Sequence, residues 1–252
     1  MGISLLSRDF GDTGLLVRHS ATVRPTQFQV LGERSSGTNL LKRLVGRNTE
    51  LKASEALGWK HGFSHAVAVP EDFLVLCVVR NAADWAISMH AKPWHSSIEM
   101  QQMGFSDFIR TPWLTEIDSG RYFPDARRIG AVGQPLQYDR HPLTGEPLAN
   151  LFELRRMKLQ ALTGWFNRHA TVALVRLETV TEAPEAFLDA LTMQLGLPRG
   201  DAFSPVLKRL GSKFRPRVAE RPATPPSMNA DDTCFMCQTL DLELEAALGY
   251  TY

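Results

Sequence analysis

One stretch constrains the fold more than any other: the unbroken apolar run Phe73–Val79 (FLVLCVV). Strands covered on both faces have continuous apolar runs, whereas strands with one solvent-facing side alternate. The run leads directly into Arg80 and then into a helical stretch at residues 82–90. We therefore predict a buried parallel strand followed by a helix, which is the repeating unit of an α/β protein.

The same alternation continues along the chain. Further strands are predicted from apolar runs at residues 28–32 and 171–177, and residues 57–63 are a candidate for another short strand. Helices are predicted from 3.6-residue periodicity at residues 38–46, 151–169 and 183–195, with a last amphipathic helix through residue 248. Residues 92–150 show weak periodicity. The pattern predicts one α/β domain over residues 1–252, with a mainly parallel sheet flanked by helices and an irregular insertion or lid at about residues 92–150.

Composition excludes several classes of protein. The formal net charge is +1, so general attraction to nucleic acid or to a membrane surface is not expected. No apolar run reaches the ~20 residues of a membrane helix, and the first residues lack the pattern of a signal peptide. We therefore expect a cytoplasmic protein. Neither the histidines nor Cys234 and Cys237, which we interpret as ordinary helix residues, have zinc-site spacing, so no metal is predicted.

The segment after the first predicted buried strand, residues 32–39 (GERSSGTN), has the two-glycine spacing of a phosphate-binding loop. Small residues let backbone N–H groups face phosphate oxygens, and the next helix adds its positive N-terminus. A triphosphate-cleaving loop needs Lys and then Ser or Thr after the second glycine, where this chain has Thr38 and Asn39. We predict a three-layer P-loop fold that holds a phosphate without metal-assisted triphosphate cleavage. The alternative is a turn that binds nothing.

A second motif, residues 77–90 (CVVRNAADWAISMH), begins at the end of the predicted buried strand Phe73–Val79. Together with the loop it resembles the sulfotransferases that use 3′-phosphoadenosine 5′-phosphosulfate (PAPS). That family holds the 5′-phosphosulfate in a lysine-less Ser-Gly-Thr-Thr loop. The resemblance therefore implies that this chain binds the 5′-phosphosulfate through the corresponding loop residues Ser36, Gly37, Thr38 and Asn39.

The family binds the 3′-phosphate with an Arg-Asn-Pro/Ala-x-Asp stretch and a serine further along the helix. Arg80 and Ser88 match those positions. Arginine suits the role because its guanidinium offers paired donors and is always charged. The alternative for Arg80 is a surface salt bridge with Asp84.

Other segments support the resemblance, which covers residues 28–90 and 150–250. Residues 175–178, Pro184 and residues 195–197 resemble the family's Arg-Tyr-Glu-Asp strand, helix and Leu-Gly-Leu ending, and residues 248–250 resemble its final helix. The basic loop at residues 213–217 lies where the family has a mobile segment that closes on the nucleotide, which implies contacts from Lys213 and Arg215. The middle of the chain matches no pattern.

The resemblance implies transfer of the sulfuryl group of PAPS to a hydroxyl of a carbohydrate or small-molecule acceptor, leaving 3′,5′-ADP. The first candidate for the base is His61, because imidazole titrates near working pH. Lys60 and His61 resemble the family's Lys-x-His segment with the spacer missing. Neighbours on a strand point to opposite faces, so both would face the substrate only if the strand bulges or ends there. Glu33 is the alternative base.

A cation should stabilise the leaving oxygen. The family has Lys or Arg directly before Ser-Gly-Thr, and this chain has Ser35 there. Either the loop turns so that Arg34 reaches the oxygen, or Lys60 or Lys42 substitutes. Arg34 and Ser35 are also predicted to contact the nucleotide.

Two other functions compete with the sulfotransferase. A P-loop small-molecule kinase that binds ATP is disfavoured by Thr38 and Asn39, which replace its Lys-Ser/Thr pair. A catalytically silent nucleotide-binding module is favoured by Ser35, which stands where the family has its cation.

Overall fold

The computed structural model describes residues 10–19, 22–200, 202–207 and 213–252. The chain forms two compact units. The first, here named the sheet unit, comes from the segments Met1–Asn81, Lys158–Ser212 and Asp241–Tyr252. The second unit comes from Ala82–Met157 and Lys213–Leu240, so the predicted insertion at residues 92–150 lies inside it.

The sheet unit contains a five-stranded sheet in the order β1-β5-β4-β2-β3. Strands β5, β4, β2 and β3 run parallel to one another, and the edge strand β1 pairs antiparallel with β5. The predicted α/β class with a mainly parallel sheet is therefore confirmed. The strands are β1 Leu15–Arg18, β2 Gln27–Gly32, β3 Lys52–Ala53, β4 Phe73–Val79 and β5 Thr171–Arg176.

Successive residues of β4 contribute to two different hydrophobic clusters of the sheet unit, because side chains alternate between the faces of a strand. One face packs with Leu159 and Leu162 of helix α7 (Leu151–Thr163) and with Leu244 near the C-terminus. The other face packs with helices α2 (Thr38–Asn48) and α9 (Pro184–Leu195). All seven residues of β4 are buried, as the unbroken apolar run predicts.

The strand predicted at residues 57–63 is wrong. The segment instead forms two turns, with Gly58 N–H donating to the Glu55 carbonyl and Gly62 N–H to the Trp59 carbonyl. Gly58 has a φ of 92°, in the left-handed region that glycine tolerates best. On the edge of β2 that faces away from β4, the paired strand is the two-residue β3, which lies upstream of this segment.

Helices α2 and α9 begin and end close to the predicted positions, whereas two other predicted helices differ from the structure. Helix α7 ends at Thr163 and a short 3₁₀ turn, Gly164–Asn167, replaces the predicted helical residues beyond it. The predicted last helix is two helices, because Asp241 caps a new N-terminus by accepting from Leu244 N–H. The sheet unit also contains α11 Leu242–Ala247 and two short helices that the periodicity did not predict, α1 Phe10–Thr13 and α8 Leu177–Glu182.

The second unit is built of short helices around its own hydrophobic cluster, which includes Trp85, Trp113, Phe152 and Met236. Isolated strand bridges join its irregular segments, for example Ser96 with Thr115. Cys234 and Cys237 lie on its last helix and are unpaired by disulfide. Its helices are α3 Ala82–Ala91, α4 Ile98–Gln101, α5 Phe105–Arg110, α6 Pro124–Arg128, α10 Ala230–Thr239 and the first half of α7.

Candidate functional site

The predicted phosphate loop joins β2 to α2 in a tightly wound conformation. Ser35 and Gly37 both have left-handed backbones, with φ of 64° and 91°. Between them, Ser36 is fully buried, and its backbone N–H and its Oγ both donate to the Glu33 carbonyl, at 3.3 and 2.7 Å. Left-handed residues are characteristic of anion-binding concavities, and Ser35 and Gly37 supply two of them here, on either side of the Ser36 N–H that is bonded to Glu33.

The two glycines of the loop leave no room for a side chain. A Cβ at Gly32 would lie 2.7 Å from both the Ser36 Oγ and the Val78 carbonyl. A Cβ at Gly37 would lie 2.4 Å from Leu177 Cδ1, on the residue that follows β5. The glycine spacing in the sequence therefore reflects close packing of the loop against the ends of β4 and β5.

Arg80 reaches the phosphate loop from the adjacent strand. It follows β4, which lies beside β2 in parallel, so the carboxyl ends of both strands meet at one edge of the sheet. Its Nη1 donates to the Ser35 carbonyl at 3.0 Å. The two motifs predicted to hold phosphates are thus in direct contact within the sheet unit.

Three predicted nucleotide contacts lie in the second unit. Ser88 is half-buried on α3, and Lys213 and Arg215 are exposed on a segment that forms neither helix nor strand. Phe214, between those two basic residues, packs its ring 5.3 Å from that of Trp94. The roles of Ser88, Lys213 and Arg215 at a 3′-phosphate stay predictions of the family resemblance.

His61 is held against the end of β2. Its Nδ1 lies 2.7 Å from the Gly32 carbonyl, and the Lys60 carbonyl accepts from Gly32 N–H at 3.0 Å. A carbonyl oxygen only accepts, so Nδ1 carries the proton and the neutral ring has its lone pair on Nε2. Burial, and then the nearby cations of Lys60, Arg34 and Lys158, hold the pKa of His61 well below its ordinary value. The ring is therefore neutral at physiological pH.

Lys60 also reaches the phosphate loop. Its Nζ donates to Asn39 Oδ1 at 2.6 Å, on the first turn of α2. Burial lowers the pKa of Lys60, partly offset by the charge of Glu55. The turn at this segment allows both Lys60 and His61 to contact loop residues, which a strand would have prevented.

The other two candidate cations have different contacts. Lys42 donates to Glu55 in an exposed ion pair. Arg34 is 6% exposed, and its guanidinium lies 5.7 Å from the centroid of the Trp59 ring. Glu33, the alternative base, is 3% exposed. The bond to Asn39 brings the Lys60 ammonium to the first turn after the loop, which makes Lys60 the first candidate for the cation at the leaving oxygen.

The sequence reasoning missed Lys158 of α7. This residue is 5% exposed, its Nζ donates to the His61 carbonyl at 2.8 Å, and it lies 4.0 Å from the centroid of the Phe63 ring. A signal exists in the sequence, because Lys158 falls on the apolar stripe of the helix, four residues after Leu154 and four before Leu162. A lysine on a buried stripe indicates a specific partner.

Comparison of the chain with protein-family models, with curated proteins and with solved structures found no match in any of the three. Among the residues that the structure describes, no group of three or more His, Cys, Asp or Glu side chains is placed to hold a metal ion. Within the same residues, no helix has the length and apolar character needed to cross a membrane. Function is therefore inferred from the site residues and from the resemblance of their motifs.

Proposed function

We propose that this chain is a sulfotransferase that moves the sulfuryl group of PAPS to a hydroxyl of a carbohydrate or small-molecule acceptor, and that its sheet unit is a P-loop fold. The observation that supports this most is the bond from Arg80 to the Ser35 carbonyl. It joins a lysine-less phosphate loop to an arginine at the next parallel strand end. Two anion-binding elements at one sheet edge suit a nucleotide with phosphates on both its 5′ and 3′ positions.

In this proposal the loop binds the 5′-phosphosulfate. Backbone N–H groups of the loop other than that of Ser36, together with the N-terminus of the 11-residue helix α2, supply donors and positive charge. The side chains of Ser36 and Thr38 are buried in the loop and help to shape it. Arg80 binds the 3′-phosphate, and the roles of Ser88, Lys213 and Arg215 at that phosphate stay predictions of the family resemblance.

His61 acts as the general base. The acceptor hydroxyl oxygen attacks the sulfur as the bond from sulfur to the 5′-phosphate oxygen breaks, and His61 Nε2 takes the hydroxyl proton. The products are the sulfate ester and 3′,5′-ADP. Lys60 supplies the cation that stabilises charge on the leaving oxygen, since its ammonium already lies at the start of α2.

Radiolabelled PAPS tests the proposal. We expect ³⁵S to move from PAPS to a member of an acceptor panel of sugars and phenols, without added Mg²⁺. Binding of 3′,5′-ADP with no transfer to any acceptor would support the silent nucleotide-binding module. Preference for Mg-ATP, with phosphoryl transfer, would support the kinase.

The nucleotide assignment has its own test in Arg80→Ala. Because the substitution removes a charge-assisted contact, the affinity for 3′,5′-ADP should fall about tenfold or more. The affinity for 5′-AMP, which lacks the 3′-phosphate, should change little. Isothermal titration measures both, and equal losses for the two ligands would contradict the role of Arg80.

A further inference from the structure

Glu178 makes two long-range hydrogen bonds beside the proposed nucleotide site. It lies two residues past the end of β5, and its Oε1 accepts from the backbone N–H of Asn81 at 2.9 Å. Its Oε2 accepts from the hydroxyl of Tyr250 at 2.8 Å. The carboxylate therefore joins the residue after Arg80 to the C-terminal segment, all within the sheet unit.

The bond to Asn81 acts on Arg80 through the backbone. Register pairing between β4 and β5 ends at Val79 with Arg176, so the ladder does not fix the next peptide group. The Asn81 N–H belongs to the peptide group that joins it to Arg80. Because a peptide group is planar, holding that N–H also sets the direction of the chain at Arg80. Glu178 thus fixes the backbone where the strand pairing stops.

The residues beside Glu178 contact the phosphate loop and the C-terminal segment. Leu177 occupies the space next to Gly37, since a Cβ at that glycine would lie 2.4 Å from Leu177 Cδ1. Arg176 Nη1 donates to the Gly249 carbonyl at 3.3 Å, next to Tyr250. Tyr250 itself is only 6% exposed. The segment after β5 therefore touches the loop on one side and is held by the C-terminus on the other.

We propose that Glu178 is a positioning residue that aims Arg80 at the 3′-phosphate, with Tyr250 holding the carboxylate in place. This inference rests on the proposed function and adds to it a structural reason for discrimination between nucleotides with and without a 3′-phosphate. It predicts that recognition of the 3′-phosphate depends on the reach of the side chain at residue 178 and not on its charge.

Two substitutions separate reach from charge. In Glu178→Gln the amide oxygen accepts from Asn81 N–H and the amide N–H donates to the Tyr250 oxygen, so both links are kept. Glu178→Asp keeps the charge but is one methylene shorter and does not span both partners. The measurement is the ratio of affinities for 3′,5′-ADP and 5′-AMP by isothermal titration, with thermal unfolding of each variant as the check on folding.

We expect the wild type and Glu178→Gln to prefer 3′,5′-ADP about tenfold or more, and Glu178→Asp to lose most of that preference. Tyr250→Phe leaves Glu178 intact and should lower the affinity ratio by a smaller factor. It replaces Glu178→Asp as the test if that variant does not fold. Three results would overturn the inference and leave the proposed function standing. The affinity ratio could be kept in both Glu178→Asp and Tyr250→Phe, it could be lost only in Glu178→Gln, or the variants could lose affinity equally for both ligands. A wild-type ratio near one overturns the proposed function itself.

Discussion

At the scale of single residues, the proposed chemistry depends most on His61 and its contacts. The bond from Nδ1 to the Gly32 carbonyl fixes the tautomer, and burial, helped by the neighbouring cations, lowers the pKa and keeps the ring neutral. A histidine that is oriented by a backbone carbonyl and bears a lone pair on Nε2 has the properties of a general base.

His61→Ala should therefore lower turnover by about 10²-fold or more, the usual scale of general-base catalysis. Affinity for 3′,5′-ADP should stay nearly unchanged, since the loop and Arg80 are intact. Single-turnover transfer of ³⁵S measures the first and titration the second. Retained turnover would assign the base to Glu33, and Glu33→Gln would then be the inactive variant.

The pH profile gives an independent measure of the same residue. A base acts while unprotonated, and the pKa of His61 lies well below its ordinary value, so kcat/KM should stay level as pH falls through about 6.5 and decrease only at lower pH. Lys158→Met removes one of the cations that lower this pKa, so its acid limb should move to higher pH. Lys52→Met, at an exposed lysine of β3, is the control that should leave the limb in place.

At the scale of elements, helix α2 has a glycine near each end, and the two glycines have opposite effects on stability. Gly37 lies at its start with a φ of 91° and no space for a Cβ, whereas Gly46 lies inside the helix, where a Cβ would meet its nearest neighbour at 3.9 Å. The first glycine is required by the loop, and the second only weakens the helix.

Gly37→Ala should lower the free energy of unfolding by about 2 kcal/mol or more, through left-handed strain and overpacking against Leu177. It should also abolish 3′,5′-ADP binding. Gly46→Ala should raise the free energy of unfolding by up to about 1 kcal/mol, the helix propensity difference, and leave binding unchanged. Urea unfolding measures both; a stable Gly37→Ala protein that binds the nucleotide would show that the loop does not need its wound shape.

At the scale of the whole molecule, each unit holds a histidine whose pKa is lowered. His61 lies in the sheet unit. In the second unit, His90 is fully buried between the Thr224 hydroxyl and the Met103 carbonyl, and burial is the main cause that lowers its pKa. Since the unfolded chain binds protons at these histidines before the folded chain does, acid destabilises both units.

The free energy of unfolding should therefore have its full value above about pH 6.5. It should decrease as the pH falls from there toward the lowered pKa values of the two histidines in the folded protein. Urea unfolding at pH 7.5 and 5.5 measures the difference. His90→Gln should reduce the pH dependence of the transition, whereas His169→Gln, at an exposed position, should leave it unchanged. An identical pH dependence in His90→Gln and the wild type would contradict the prediction.

Local patterns in the sequence were sufficient for the main elements of the sheet unit. The seven apolar residues of β4, the glycine spacing around the loop and the start of α9 at Pro184 each depend on neighbours in the chain. Helix and strand periodicity is a property of such short stretches. The edge strand β1 and the division of the last helix were missed, because each depends on a pairing or cap that periodicity does not reveal.

The sequence by itself determined that a loop with two glycines and no lysine, which we propose binds phosphate, stands between a buried strand and a helix, and that Arg80 directly follows the next buried strand. The tertiary structure decided which side chains surround that loop: Lys60 by way of a turn, Lys158 from α7, and Glu178 behind Arg80. These contacts join residues 21 to 97 positions apart in the chain. Partners at that separation are set by strand order and helix packing, which no local stretch of sequence contains.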